Sequence, residues 1–309
     1  MASADKLKLA LDDSRTLMLG AQVLLGFQMQ LPFQPGFGSL SDVERGISLA
    51  ALALMILAVG LLIAPSAFHR MTGGGASRRV EYLTSQMSSL TIAPFGLALS
   101  LDLALVANKV GGLRPAAVAA GVGLVITLGA WLSPWLFSRR HPASTAEVPM
   151  GKANTAQRID FALTEARVVL PGVQALLGFQ MLIVFTEAFT RLPDEVRIVH
   201  GLALAFIALA AAVLMAPAAL HRIVYRGEEA PDFPEIAGYL LLAATALLAA
   251  GLSLDLYVVV SAITGTAALA IGTAMASGAV LALLWGVWPA CLRLRSARPS
   301  AVAARSDHS

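Results

Sequence analysis

The chain has 309 residues, of which 57% are hydrophobic and 13% charged, and its mean hydropathy is +0.75. A soluble protein carries about 25% charged residues, so this composition excludes an ordinary soluble domain pair and points to an integral membrane protein. The formal charge of +3 and pI near 9.3 do not call for a nucleic-acid partner, because the basic residues fall in short clusters between apolar runs.

A spanning helix needs roughly 20 mostly apolar residues. Taken in chain order, stretches of that kind cover residues 16–33, 46–68, 88–107, 115–137, 168–185, 198–220, 236–260 and 267–292, which predicts eight helices. The segment before the first carries Lys6 and Lys8 but also Asp5, Asp12 and Asp13, with no small-residue cleavage site after a short apolar core, so no cleaved signal peptide is expected. With eight spans, 17 of the 22 Lys and Arg fall on the side of both termini and five, Arg45, Lys109, Arg114, Arg191 and Arg197, on the other. The positive-inside bias then places both termini in the cytoplasm and the chain in the inner, plasma membrane of a cell.

The chain repeats itself. A shift of 152 positions lays Gln22–Met29 (QVLLGFQM) on Gln174–Met181 (QALLGFQM) and Ala64–Arg70 (APSAFHR) on Ala216–Arg222 (APAALHR), with 25 identities over the 56 positions from Arg15 to Arg70. After a one-residue insertion, LSLDL at Leu99–Leu103 matches LSLDL at Leu252–Leu256. The expected fold is therefore all-α, with two four-helix units at 1–137 and 161–292, a polar linker at 138–160 and a cytoplasmic tail at 293–309. Each unit holds an even number of helices, so the two are parallel rather than inverted. Parallel halves are one established transporter plan, and equally what a fused homodimer would look like.

Asp102 and Asp255 are the acidic residues placed clearly inside spans, about five residues from the outer helix ends. A carboxylate in the membrane is a functional hypothesis, since desolvation favours its protonated form and lets it exchange a proton for a cation. The structural alternative is an ion pair with Arg45 and Arg197, which open the second and sixth helices at the same outer level. Gln22, Gln28, Gln174 and Gln180 lie in the first helix of each unit, where an amide serves either as a hydrogen bond between helices or as part of a wet path. Positions six apart diverge by roughly 120° on a helix, so Gln22 and Gln28 do not share a stripe, whereas Gly26 and Met29 share the Gln22 face and predict close packing.

At the cytoplasmic ends, His69-Arg70 and His221-Arg222 complement the macrodipole of the helices they close. Asp13, Arg15, Glu165 and Arg167 sit at the ends where spans begin, and together these eight residues would form a charged inner layer. A histidine there is alternatively a proton gate. Trp131, Trp135, Trp285 and Trp288 belong to an aromatic belt on position alone. One cysteine, Cys291, and scattered histidines supply no metal-ligand spacing, and no nucleophilic arrangement is legible, so neither a metal, a cofactor nor an enzymatic activity is expected.

Each half resembles a family of small bacterial four-helix membrane proteins of unknown function, often carried under the name sodium:proton antiporter. The resemblance rests on the acidic-x-Arg pairs (Asp13-Ser14-Arg15, Glu165-Ala166-Arg167), the Gln-x-x-x-x-Phe runs (Gln22 to Phe27, Gln174 to Phe179) and the Ala-Pro-x-x-x-His-Arg ends. The second half has the family's Leu-Pro-Gly at Leu170-Pro171-Gly172; the first has Leu19 at the proline position. The name implies an exchange of monovalent cations for protons across the lipid bilayer. The competing expectation is a non-transporting membrane module whose repeated polar residues hold helices together. Either form leaves room for self-association with a second copy.

Overall fold

The computed structural model describes residues 18–71, 78–138, 155–226 and 228–296. Every regular element among them is helical. Helix α1 covers residues 18–30 and runs into two 3-10 turns, Leu31–Phe33 and Pro35–Ser39. Then follow α2 (Asp42–Met71), α3 (Arg78–Gly111), α4 (Leu113–Ser138), α5 (Thr155–Ile183), the short α6 (Glu187–Thr190), α7 (Asp194–Ile223), α8 (Phe233–Thr264), α9 (Ala267–Ala282) and α10 (Trp288–Ser296), the last two joined by a π-helical turn at Leu283–Val287. In hydrocarbon each backbone polar group must be satisfied within its own segment, which is why these apolar runs can only be helices.

Six of the helices are long and apolar enough to cross a membrane, within Asp42–Phe68, Leu90–Gly111, Arg158–Ile183, Asp194–Ile223, Phe233–Thr264 and Ala267–Cys291. The chain is a membrane-embedded helical protein. The apolar described stretch of α4, Leu113–Val125, is shorter, and the first expected span lies partly outside the described residues.

Three features differ from expectation. Helix α5 starts at Thr155, inside the segment read as linker, because Ile159, Ala162 and Ala166 recur on one face and are buried. Helices α3 and α8 continue through polar residues that do not break a helix, so Asp102 stands nine residues before Gly111 and Asp255 nine before Thr264, about 13 Å from those ends rather than five residues. Helix α2 begins at Asp42 because Ser41 and Glu44 form a capping box: the Glu44 carboxylate accepts from the Ser41 N–H at 2.7 Å, and the Ser41 hydroxyl accepts from the Glu44 N–H at 3.4 Å.

The two halves use the same joints. The α3–α4 turn pivots on Gly112 (φ +83°) and the α8–α9 turn on Gly265 (φ +61°), left-handed conformations that favour glycine. Ser100 presses on Gly123 and Ser253 on Gly278, where an added Cβ would meet each hydroxyl. Between the halves, α1 crosses α5 at glycines: a Cβ on Gly26 would run into the Phe179 ring, and one on Gly172 into the Gln22 amide. Phe27 and Phe179, equivalent residues of the repeat, touch each other at a centroid distance of 4.5 Å. The close packing expected around Gly26 and Met29 is present, and Met29 is buried.

Candidate functional site

The most buried polar group of the second half is assembled from three helices. Asp255 on α8 is 3% exposed and His200 on α7 is 1% exposed; the His200 Nδ1 lies 3.5 Å from Asp255 Oδ1. The other ring nitrogen, Nε2, is 3.1 Å from the backbone carbonyl of Gln180 on α5. A carbonyl oxygen can only accept, so Nε2 carries a hydrogen and donates it. The second nitrogen then faces a carboxylate, and their contact is favourable only when it holds a proton, on the imidazole or on the acid. The two groups thus form a buried acid–base contact that is too long and too poorly aimed to be a hydrogen bond. His200 Nδ1, Asp255 Oδ2 and both ends of the buried Gln180 amide find no hydrogen-bond partner among the described residues, an arrangement that costs stability unless something polar is handled there. Phe189 of α6 packs edge-on against the His200 ring at 5.2 Å.

His200 was not singled out by spacing or motif. The signal was present in the repeat: His200 falls on Ser48 when the halves are aligned at a shift of 152 positions, so a histidine and a serine are equivalent in the two units.

In the first half the corresponding Asp102 on α3 is half-buried and accepts a 2.7 Å hydrogen bond from Nε2 of Gln28 on α1. Gln28 is buried, and its Oε1 has no partner among the described residues. Ser48, the counterpart of His200, is buried on α2. Of the four glutamines, Gln28 alone makes the expected interhelical bond with its side chain. Gln22 is buried against α5 with both amide atoms unpartnered among the described residues, Gln180 lends its backbone carbonyl to His200, and Gln174 is exposed.

Neither expected arginine–aspartate pair across helices forms. Arg45 lies 3.9 Å from Asp42 and donates to the Gly38 carbonyl at 3.2 Å, and Arg197 pairs with Asp194. Each arginine finds a carboxylate three residues earlier on its own helix, within easier reach than a group about two turns deeper. Near Arg45, the Asn108 amide donates to Glu44 at 2.8 Å and the Lys109 ammonium to the Ser39 hydroxyl at 2.6 Å, tying α3 to the loop between α1 and α2. A cleft of about 870 Å³ opens at this end between the loops of the two halves, lined by Phe37, Arg45, Glu187, Arg191, Leu192 and Ile263 among others. Ile263 lies about two turns beyond Asp255 on α8.

At the opposite end, Asp13 and Arg15 lie outside the described residues, as do the side chains of His69 and Arg70. Glu165 is buried, Arg167 and Arg222 are exposed, and His221 packs edge-on against Phe233 at 5.0 Å. Nearby, Tyr225 donates to Asp232 Oδ2 at 2.8 Å, and that bond holds its phenol above the ordinary tyrosine value. Trp285 corrects the aromatic-belt reading. It is buried, and its indole Nε1 donates to the Gly60 carbonyl of α2 at 2.8 Å; Leu281 and Leu284 close on the same glycine. Trp288 packs against Phe68 at 6.0 Å. The side chains of Trp131 and Trp135 lie outside the described residues. Cys291 is exposed, and among the described residues no three His, Cys, Asp or Glu side chains could hold a metal ion.

The chain belongs to DUF6328, a family of unknown function, whose profile matches residues 6–134 and again 153–289, as tandem copies of one unit would. No curated protein and no solved structure matches it.

Proposed function

We propose that this member of a family of unknown function is an ion-coupled membrane transporter that exchanges a monovalent cation for protons, with Asp102 and Asp255 as its coupling carboxylates. The observation that carries this reading is the sealed His200–Asp255 contact, an acid and a base 3.5 Å apart among buried polar atoms that have no hydrogen-bond partner among the described residues. A purely structural pair would be expected to satisfy its neighbours; this one leaves Asp255 Oδ2 and the Gln180 amide open to a further polar guest. Desolvation makes an unneutralised carboxylate costly, so each aspartate is occupied by a proton or balanced by a cation, and transport follows when these states are exposed alternately to the two sides. The two halves act as parallel four-helix units, and the bias of basic residues favours cytoplasmic termini in the inner membrane.

A second reading is a non-transporting module. The Gln28–Asp102 hydrogen bond favours it, because a bond of this kind joins helices without any ion. The test is collapse of a pH gradient in proteoliposomes on addition of sodium, lithium or potassium. The native chain is expected to exchange at least one of them, and an Asp102→Asn/Asp255→Asn double variant of equal monodispersity to exchange none. A well-folded native chain that exchanges no cation overturns the transporter reading and leaves the structural module.

A further inference from the structure

We infer that the two halves bind different ions: the nest of Gln28, Ser48 and Asp102 takes a small monovalent cation from solution, whereas the nest of Gln180, His200 and Asp255 carries the proton. This rests on the ion-coupled reading and divides its labour between two sites.

The same three positions, one on each of the first three long helices of a half, are polar in both nests; the middle one differs. In the second nest an imidazole lies 3.5 Å from the carboxylate, so the positive charge that a membrane carboxylate requires can be supplied internally by a proton on that pair. No other charged group among the described residues reaches Asp255 within ion-pair distance, and the nest is closed to solvent. A hard cation also gains little from imidazole, since such ions select oxygen ligands.

The first nest has the opposite properties. It contains no imidazole, and Asp102 has no ion pair among the described residues, so its balancing charge must come from solution. Its donors are oxygens: the Asp102 carboxylate, the unpartnered Oε1 of Gln28 and, by position, the Ser48 hydroxyl. Asp102 is half-buried where Asp255 is sealed. Without a cation, Gln28 Nε2 donates to Asp102 Oδ2 and stands in for the missing charge. An amide is nearly symmetric in shape, so turning it over presents Oε1 to a bound cation with little repacking.

Calorimetric titration of the full chain in detergent with sodium, lithium and potassium chloride tests this, with proton release followed in weak buffer. The native chain is expected to bind about one cation, weakened about tenfold or more in Asp102→Asn and in the gentler Gln28→Leu, and retained in Asp255→Asn. Ser48→His is expected to remove cation binding by giving the first nest its own proton. His200→Ser is expected to create a second cation site. Cation binding that survives Asp102→Asn and disappears in Asp255→Asn overturns the division, as does native protein that exchanges cations yet binds none at Asp102. The parent reading fails separately, by the absence of exchange from native proteoliposomes.

Discussion

Replacing Asp255 with asparagine asks whether the buried pair is a proton carrier or a fixed ion pair. Both ring nitrogens of His200 face acceptors, and in the proposed carrier the pair with Asp255 shares one proton and is neutral overall. Asparagine keeps the shape, and its side-chain N–H can donate to Nδ1 while Nε2 keeps its bond to the Gln180 carbonyl. At 3.5 Å the native contact is long for a hydrogen bond, and a well-made one contributes about 1 kcal/mol net, so Asp255→Asn is expected to cost about 1 kcal/mol or less. Removing one member of a fixed buried ion pair costs about 3–5 kcal/mol instead. The difference of at least about 2 kcal/mol is more than tenfold in the folding equilibrium. Reversible unfolding in mixed micelles, followed by tryptophan fluorescence, resolves it; Trp285, buried against Gly60, reports on the packed state. A loss above about 3 kcal/mol refutes the proton accounting and makes the pair structural.

Gly26→Ala is expected to destabilise the α1–α5 crossing by about 1–3 kcal/mol, because its methyl meets the Phe179 ring. Phe179→Leu in the same chain should recover part of that loss, a coupling that a double-mutant cycle measures; additive losses would contradict the contact. Tyr225 is expected to titrate above the ordinary tyrosine value by ultraviolet absorbance, and Asp232→Asn to bring it back down. Since the folded value is the higher one, the hydrogen bond's contribution to stability is complete below the unfolded tyrosine value and is lost as pH rises through the folded one.

Much of the helical framework was legible because lipid allows an apolar run little else. The repeat was legible as well, and so was the close packing at Gly26 and Met29 of the first half, which the second half does not share at Gly178 and Met181. Helix ends were read short because hydropathy falls at Asn108 and Lys109 while the helix does not; what stops α3 is the left-handed Gly112. The arginine partners were not legible from depth alone, because Asp42 and Asp194 lie one turn from Arg45 and Arg197 on the same helices and take the pairing. Trp285 was read from its level in the span, yet the π-helical turn at Leu283–Val287 carries it on the stretch of chain packed against α2, and the face decides whether an indole meets lipid or a carbonyl. His200 escaped because a lone histidine in an apolar helix has no motif. Its meaning comes from Asp255, which is 55 positions away, and from Ser48 in the other half.

The asymmetry between the halves is what a two-ion mechanism needs. Two identical units paired about an axis would carry two identical nests. Here the contact of Phe27 with Phe179 marks where such an axis would pass, and the surroundings depart from it: Gln22 is buried against Gly172, while Gln174 is exposed and nothing crowds Gly20. One unit carries a sealed aspartate beside a histidine, and the other a half-buried aspartate bonded to Gln28 with a serine at the histidine's position. With both carboxylates on helices of one packed bundle, a charge change in either nest alters the desolvation cost borne by the whole, and coupling then requires no direct contact between the two aspartates. A single Ser48→His exchange would place an imidazole in both units, and on the two-ion reading it removes the coupling.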